Sequence, residues 1–584
     1  MTMIKEFTKQ IIRQWPYAVV FLCTIVFLLA IKYPYSAFTD SRDPYYHTRQ
    51  AISYATQTEI SYPALTYFSE YPADPWYGYH KILALSYFGA DNLSRDLIIK
   101  RTILLHSILS ALLMVAIAYL GVRYYRTIFP VYERQFLSKK IPFRVKMFSD
   151  KKIIFIVTST MTLLSSGFVF RALLMERPHT LMITLVMIGL LCMVSRNYVW
   201  LLIMAIIAPL VYSLSLFIFI PVVMMLVGWL VVDRSSEGFR LIRTPFLYTT
   251  GGYALGLFAH PDTAGYLLNG VAFHFFAVFQ SLLWWIPNSF GELPIPTEML
   301  FSDTAIRILF LPIIVSLGTT WYRLRESATR VEVVDLQVKW VTMLEAGFNA
   351  TALLLGVVSL FIYRTIEYAV PLLFIAFITV LFGLLIPLAQ YLHQSLWNYP
   401  GEIASFYQQT VYSIKKFSGR KTITAISLVG ILYVAIFIVM AREQATKVNY
   451  APDRLEEAVS FLADQSGVGL IMTSDFAMYT QAIFYGPTNH YAIGMDPRMT
   501  YFYNRETSRQ LYLFLGNEKD CLDGCKNQTE AETRSFLQLQ GVTHLVIDED
   551  SMSKNRATYI KEQSFLELLY QSKEYPDVQV YKLK

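Results

Sequence analysis

The sequence predicts a polytopic α-helical membrane protein with a C-terminal α/β domain outside the bilayer, and three observations carry that prediction. Hydrophobic residues make up 54% of the 584 and charged residues only 16%, a balance that soluble cores do not absorb. Apolar runs of about 20 residues, the length that crosses a bilayer core, recur along most of the chain. Beyond residue 441 they stop, and shorter strand-like and helix-like pieces replace them.

About eleven runs meet the crossing length. They lie near 17–33, 98–121, 153–170, 180–196, 198–214, 216–232, 246–260, 303–320, 340–362, 366–391 and 422–441. The stretch 198–232 is apolar throughout and is divided in two, because a single helix of that length exceeds any ordinary tilt. Lys and Arg collect in alternate loops: at Lys5, Lys9 and Arg13, across 122–152 with nine basic residues, at 234–243, at 323–339 and at 415–421. The cytoplasmic face of a membrane gathers such residues. Eleven spans with a cytoplasmic N-terminus place all of these loops on that face, which predicts a multi-pass protein of the cytoplasmic (inner) membrane. The first run has no small-residue cleavage site and leads into further spans, so it reads as an anchor rather than a signal peptide.

The net charge of +7 is then a signature of topology, and no nucleic-acid partner is needed to explain basic loops beside a lipid bilayer. The opposite face receives 34–97, the turn 171–179, the loop 261–302 and the tail 442–584. This divides the chain into a transmembrane domain, 1–441, with a long first loop at 34–97, and a soluble domain, 442–584. In the tail VGLIMTSD (468–475) and THLVIDED (543–550) read as buried strands ending in acidic residues, and DRLEEAVSFLADQ (453–465) has helical periodicity. Cys521 and Cys525 form the close pair CLDGC. On an extracytoplasmic domain that spacing favours a local disulfide over a metal site, which would need two further ligands.

Polar clusters mark the same face. FTDSRDPYYHTRQ (38–50) follows the first run, DPWYGYH (74–80) lies further along that loop, and RALLMERPH (171–179) fills the next turn. AHPD (259–262) and GELPIP (291–296) come later, and RTIEY (364–368) interrupts two spans. Tyrosines and charges at a span's end serve equally as an interfacial belt. Ionisable residues at membrane depth are costly and usually functional, however, and their recurrence on one face points to a shared site.

The segment Asp43-Pro44-Tyr45-Tyr46-His47-x-Arg49 resembles the first acidic motif of oligosaccharyltransferase catalytic subunits, within the GT-C class of polyprenyl-phosphate-sugar-dependent glycosyltransferases. The order of many spans, a long first loop and a C-terminal α/β domain is similar to theirs. Arg171 with Glu176, Arg177 and His179 resembles the second loop motif of the class, and Glu292 is placed like its loop glutamate. Arg364, Glu367 and Tyr368 resemble a late-span arginine motif. HYAIGMDPRMTYFYN (490–504), with Asp496, is similar to a GLDP-type segment of bacterial relatives. The tail has no WWDYG motif; TSDFAMY (473–479) stands in its place and shares only Asp475. Asp40 is spaced away from Asp43, which is the better match.

The resemblance implies transfer of a sugar or glycan from a polyprenyl-linked donor to a protein or glycan acceptor on the extracytoplasmic face. That chemistry needs a base for the acceptor's proton and cations for the departing phosphate, which the planar fork of arginine suits. Asp43 is then expected as base or metal ligand, with Glu176 and Glu292 as further acidic groups. A divalent cation, Mg2+ or Mn2+, held by Asp43 and Glu176 would share the work. Arg171, Arg177 and Arg364 are expected on the phosphate, with Tyr46, His47, His80, His179, Glu367, Tyr368, Asp475 and Asp496 as further substrate contacts. His80 and His179 serve equally as structural hydrogen-bonders, and Glu367 as the counter-ion of Arg364. A transporter or flippase of lipid-linked sugars would share these clusters, but the internal repeats and paired broken helices typical of such proteins are not apparent.

Overall fold

The computed structural model of the protein describes residues 2–33, 38, 43–58, 60, 62–66, 69, 73–87, 94–138, 149–165, 168–272, 304–329, 336–359, 365–386, 453–476, 478–494, 500, 503–515, 529–551 and 554–584. Glu292, Arg364, Asp496, Cys521, Cys525 and the apolar run 422–441 lie outside the described residues. The chain is mostly helical, with a small C-terminal sheet.

Helix α1 spans Thr2–Lys32 and ends at the first polar loop. Two helices follow inside that loop, α2 (Asp43–Thr56) and α3 (Tyr77–Ala84). Asp43-Pro44 opens α2 because an acid suits the positive end of the helix dipole and proline suits a first turn that needs no N–H. Next come α4 (Arg95–Ser138) and α5 (Asp150–Leu164), then a wide π-helical turn at Val169–Leu174. The apolar series continues with α6 (His179–Ser195), α7 (Tyr198–Val211), α8 (Ile220–Val232), α9 (Ser236–Ala259), α10 (Thr304–Thr329), α11 (Leu336–Val358) and α12 (Ile366–Val380).

Among the described residues five helical segments are long and apolar enough to cross a membrane: Gln14–Lys32, Arg95–Pro130, Ser215–Val232, Leu336–Val358 and Ile366–Gly383. This is fewer than the eleven spans expected. Helices α6 and α7 are apolar but shorter, and α5 has only 15 residues. In α9 the threonines, tyrosines and glycines of its second half dilute the apolar character, and α10 carries Arg307, Arg323 and Arg325. The division of 198–232 does appear: α7 ends at Val211, Tyr212 turns extended, and a short 3-10 turn at Ser215–Phe219 leads into α8.

Close helix crossings rest on glycine. A β-carbon on Gly228 of α8 would run into the Met343 carbonyl of α11, and one on Gly347 of α11 would run into the Met224 carbonyl of α8. Gly252 and Gly256, four apart on α9, meet the carbonyls of Leu202 and Ile206 on α7 in the same way. Lipid supplies no hydrophobic drive between helices, so small residues that let backbones approach provide the packing attraction.

The tail folds as a mixed five-stranded sheet of order β2-β1-β3-β5-β4. The strands are β1 (Leu470–Thr473), β2 (His490–Tyr491), β3 (Val542–Asp548), β4 (Leu566–Gln571) and β5 (Val578–Leu583). β1 runs parallel to β2 and β3, which requires crossovers, whereas β5 is antiparallel to β3 and β4. Helix α13 (Glu456–Ala463) precedes β1, and α14 (Met478–Tyr485) makes the crossover to β2. α15 (Arg505–Leu515) and α16 (Glu530–Leu539) lie between β2 and β3, and α17 (Lys554–Lys561) follows β3.

The first loop joins this sheet. The N–H groups of Ala64 and Leu65 donate to the carbonyls of Tyr491 and Ala492 at 2.9 and 2.8 Å, and Leu65 enters the apolar core of the tail with Met472, Phe476 and Leu511. Helix α14 packs on α2, with Tyr45 edge-on to Phe484 at 5.4 Å. Arg95, at the start of α4, pairs with Glu456 and lies over the Tyr485 ring.

Gly347→Leu is expected to lower stability by about 1–3 kcal/mol or more, since the added side chain must push two helices apart. Gly318→Leu, at a position with nothing within 4 Å of a β-carbon, is expected to change little. Thermal unfolding of the two detergent-purified variants checks the difference.

A buried charge cluster at one end of the helical bundle

Three helix ends meet at the cluster: the C-terminal end of α1 and the N-terminal ends of α6 and α12. Lys32 closes α1, and its Nζ lies 2.6 Å from Glu176 Oε1 with both side chains sealed from solvent. Lys32 also reaches the Leu173 carbonyl at 3.5 Å. Arg171 sits in the π-helical turn before α6 and donates through Nε to Glu367 Oε1 at 2.8 Å. Glu367 stands in the first turn of α12, where the helix dipole favours an acid. His179 Nε2 lies 3.0 Å from the Arg171 carbonyl and 3.4 Å from Glu367.

Arg177 pairs with Asp43 at 3.0 Å, and this pair differs from the other two in exposure. Its side chains are 12% and 26% exposed, against 8% and 4% for Arg171 and Glu367. The geometry is therefore graded: two ion pairs are buried, and a third opens outward. A buried charge without a partner is strongly destabilising, so the inner pairs hold each other in place. Pro178, which cannot continue a helix backward, lets Arg177 turn away just before α6 begins.

Beside this cluster lies a second polar group on the first-loop helices. Asp74 Oδ2 accepts from Tyr54 OH at 2.8 Å and from His80 Nδ1 at 2.7 Å, and Asp74 Oδ1 accepts from the Trp76 N–H at 3.0 Å. His80 Nε2 faces His47 Nδ1 at 2.8 Å. Burial alone would raise the Asp74 carboxyl, but the facing His80 and the three donors hold it below its ordinary range. Burial, helped by His80, Arg177 and His179, pushes His47 well below the ordinary imidazole value. Tyr46, Trp76 and Tyr79 surround the histidines edge-on.

Of the residues singled out from sequence, Asp43, Glu176, Arg171, Arg177, His179 and Glu367 are brought together by these contacts, and His47 and His80 adjoin them. Tyr46 is buried among Trp76, His47 and His80 as packing. Tyr368 is likewise buried, stacked on Phe217 at 4.6 Å. Asp475 lies in the turn between β1 and α14, whose helix packs on α2. Glu367 is held by Arg171, so its role as counter-ion does not wait on Arg364. Lys32 and Asp74 were missed. The only signal for Lys32 was a lysine closing an apolar run, and for Asp74 its place at the head of DPWYGYH.

Asp43 and Glu176 do not fit a cation-binding set as they stand. Each carboxylate already faces its own cation, Arg177 or Lys32. Among the described residues, the grouping of three candidate ligand atoms is Asp548, Asp550 and Asp577 in the tail. There the Arg454 guanidinium sits among the carboxylates, bidentate to Asp548 at 2.7 and 2.8 Å and reaching Asp550 and Asp577 at 2.9 and 2.5 Å. That arrangement ties the start of α13 to the sheet.

Fold and cluster together define a helical membrane protein with buried ion pairs at one end of its bundle and a mixed-sheet tail packed on the helix that carries Asp43. No protein-family model matches the chain, and no curated protein matches it.

Lys32→Met is expected to cost about 3–5 kcal/mol, because it leaves Glu176 charged and buried, and the paired change Lys32→Met with Glu176→Leu to recover most of that loss. Unfolding midpoints of the single and double variants check it. A pH dependence follows from His47. Below about pH 6.5 the unfolded imidazole takes a proton that the folded one excludes, so its contribution is fully present above that value and declines as pH falls. Asp74, held low, loses its contribution only below its ordinary value of 3.8. The unfolding midpoint is expected to drop from about pH 7 to about pH 5, and His47→Gln to flatten part of that slope. An unaltered slope in the variant would contradict a neutral, buried His47.

Proposed function

We propose that the protein is a GT-C-type membrane glycosyltransferase. It would transfer a sugar or glycan from a polyprenyl-phosphate or -diphosphate carrier to an acceptor on the extracytoplasmic face. The observation that carries this reading is the graded set of ion pairs: Asp43–Arg177 open outward, with Lys32–Glu176 and Arg171–Glu367 buried behind it. Lipid-phosphate chemistry beside a bilayer needs fixed cations aimed at a departing anion, in a setting that does not reorganise during the reaction. The planar fork of Arg177 suits a phosphate as well as a carboxylate, so in this reading it is the cation that meets the departing anion beside Asp43. Arg171 lies one step deeper, held by Glu367.

Asp43 is the acidic group of the outward pair, and it fixes the orientation of Arg177. The resemblance of its segment to the first acidic motif of oligosaccharyltransferases supports the same assignment. The tail covers α2 from outside through α14, and TSDFAMY replaces the sequon-reading motif there, so the acceptor differs from an Asn-x-Ser/Thr sequon in this reading.

Asp43→Asn is expected to lower transfer by at least about 100-fold, while the protein is still expressed and its unfolding midpoint falls far less than that of Lys32→Met. Full transfer by the variant in membranes would remove Asp43 from the site. Mass spectrometry of lipids extracted from the purified protein provides the independent check, with a co-purifying polyprenyl-phosphate sugar expected.

A further inference from the structure

Asp74, His80 and His47 form one buried hydrogen-bonded chain. Asp74 is surrounded by three donors, Tyr54 OH, the Trp76 N–H and His80 Nδ1. A carboxylate offers only acceptors, so the proton between it and His80 rests on His80 Nδ1. With the proton of the His80 ring on Nδ1 alone, His80 Nε2 accepts from His47 Nδ1–H at 2.8 Å. In that arrangement the far edge of the ring, His47 Nε2, carries a lone pair and no proton. An acid behind a histidine fixes its tautomer in this way in hydrolase triads.

Position makes this tautomer useful. His47 lies four residues after Asp43 on α2, on the same helix face and one turn away. The charged and titratable groups around it are His80 from α3 and Arg177 and His179 from the segment opening α6. Tyr79 on α3 is buried with its ring 5.5 Å from that of His47. The rings of Tyr46, Trp76 and Tyr79 hold the imidazole edge-on from three directions. In that tautomer His47, one turn of α2 from the outward ion pair, offers Nε2 as a proton acceptor.

We infer that Asp74, His80 and His47 form a proton relay whose outer end, His47 Nε2, takes the proton of the acceptor nucleophile during transfer. This rests on the transferase reading. In the step, the lone pair of an acceptor hydroxyl or amide forms the bond to the anomeric carbon. The bond from that carbon to the phosphate oxygen breaks, and its electron pair leaves with the lipid phosphate, which Arg177 holds. The acceptor proton moves to His47 Nε2, and the resulting positive charge is shared through His80 with Asp74. The proton returns to water after the products separate. His47 is the catalytic residue; His80 and Asp74 are positioning residues that act through it.

Two measurements test the relay on the full chain in nanodiscs. Nuclear magnetic resonance of protein labelled at the histidine ring nitrogens is expected to show His47 as the neutral Nδ1–H tautomer at neutral pH, and Asp74→Asn to move it to the Nε2–H form. An Nε2–H form in the unaltered protein, or no response to Asp74→Asn, overturns the relay. Turnover is read with undecaprenyl diphosphate carrying radiolabelled N-acetylglucosamine, with water as acceptor. His47→Gln is expected to lower kcat by about 100-fold or more at unchanged KM. Asp74→Asn is expected to lower kcat less and to shift the acid limb of the pH–rate profile to lower pH, and Asp74→Glu to restore part of the loss. Turnover by His47→Gln equal to that of the unaltered protein overturns the proton-accepting role and leaves the transferase reading standing. A probe that the unaltered protein does not turn over removes the transferase reading and the acceptor step with it, while the tautomer still decides the relay.

Discussion

Lys32 and Glu176 are sealed from solvent, and much of the arrangement depends on their staying together. An ionised group in a low-dielectric interior is tolerated only beside a partner of opposite sign. Their pairing fixes the end of α1 against the segment before α6, and that segment also carries Arg171 and Arg177. The Arg171–Glu367 pair then fixes α12 to the same point. Three helices from distant parts of the chain are thus registered against one another by charge, where apolar packing in lipid alone would let them slide.

Arg177 is the residue that turns this internal constraint outward. It follows directly after Glu176, so anchoring the glutamate places the arginine at the boundary where Asp43 meets it. The pair at the boundary inherits its position from the pair beneath. In this way a feature that stabilises the fold also sets the geometry of the proposed chemistry, and the relay through His47 adjoins it by one turn of α2.

Much of this was legible in the sequence. Asp43, Glu176, Arg177 and His47 stood out because they are polar residues at the ends of apolar runs, and the contacts bring them together. The division of 198–232 was legible from length alone. Lys32 was not, because a lysine closing an apolar run normally reaches outward to the headgroups; only the opposing glutamate reveals that it turns inward. Asp74 and His80 are six residues apart, and the turn at Asp74–Trp76 that folds one onto the other leaves no periodic trace. Tyr46 and Tyr368, expected as substrate contacts, are buried against neighbouring rings. Among the described residues fewer spans appear than expected: 153–170 holds a 15-residue helix followed by a π-helical turn, and 246–260 is diluted by glycine and threonine.

Helix α2 is made early in synthesis, yet it is covered by α14, which the ribosome delivers more than 400 residues later. Ala64 and Leu65 likewise wait for β2 before their hydrogen bonds and their apolar pocket exist. The helix that carries Asp43 and His47 therefore stands uncovered throughout most of translation and is clasped only when the tail arrives. A nascent chain halted before the tail would hold the ion pairs of the bundle without the cover on α2. Completion of the site is thereby tied to completion of the polypeptide, a form of timing written into chain order rather than into any single side chain.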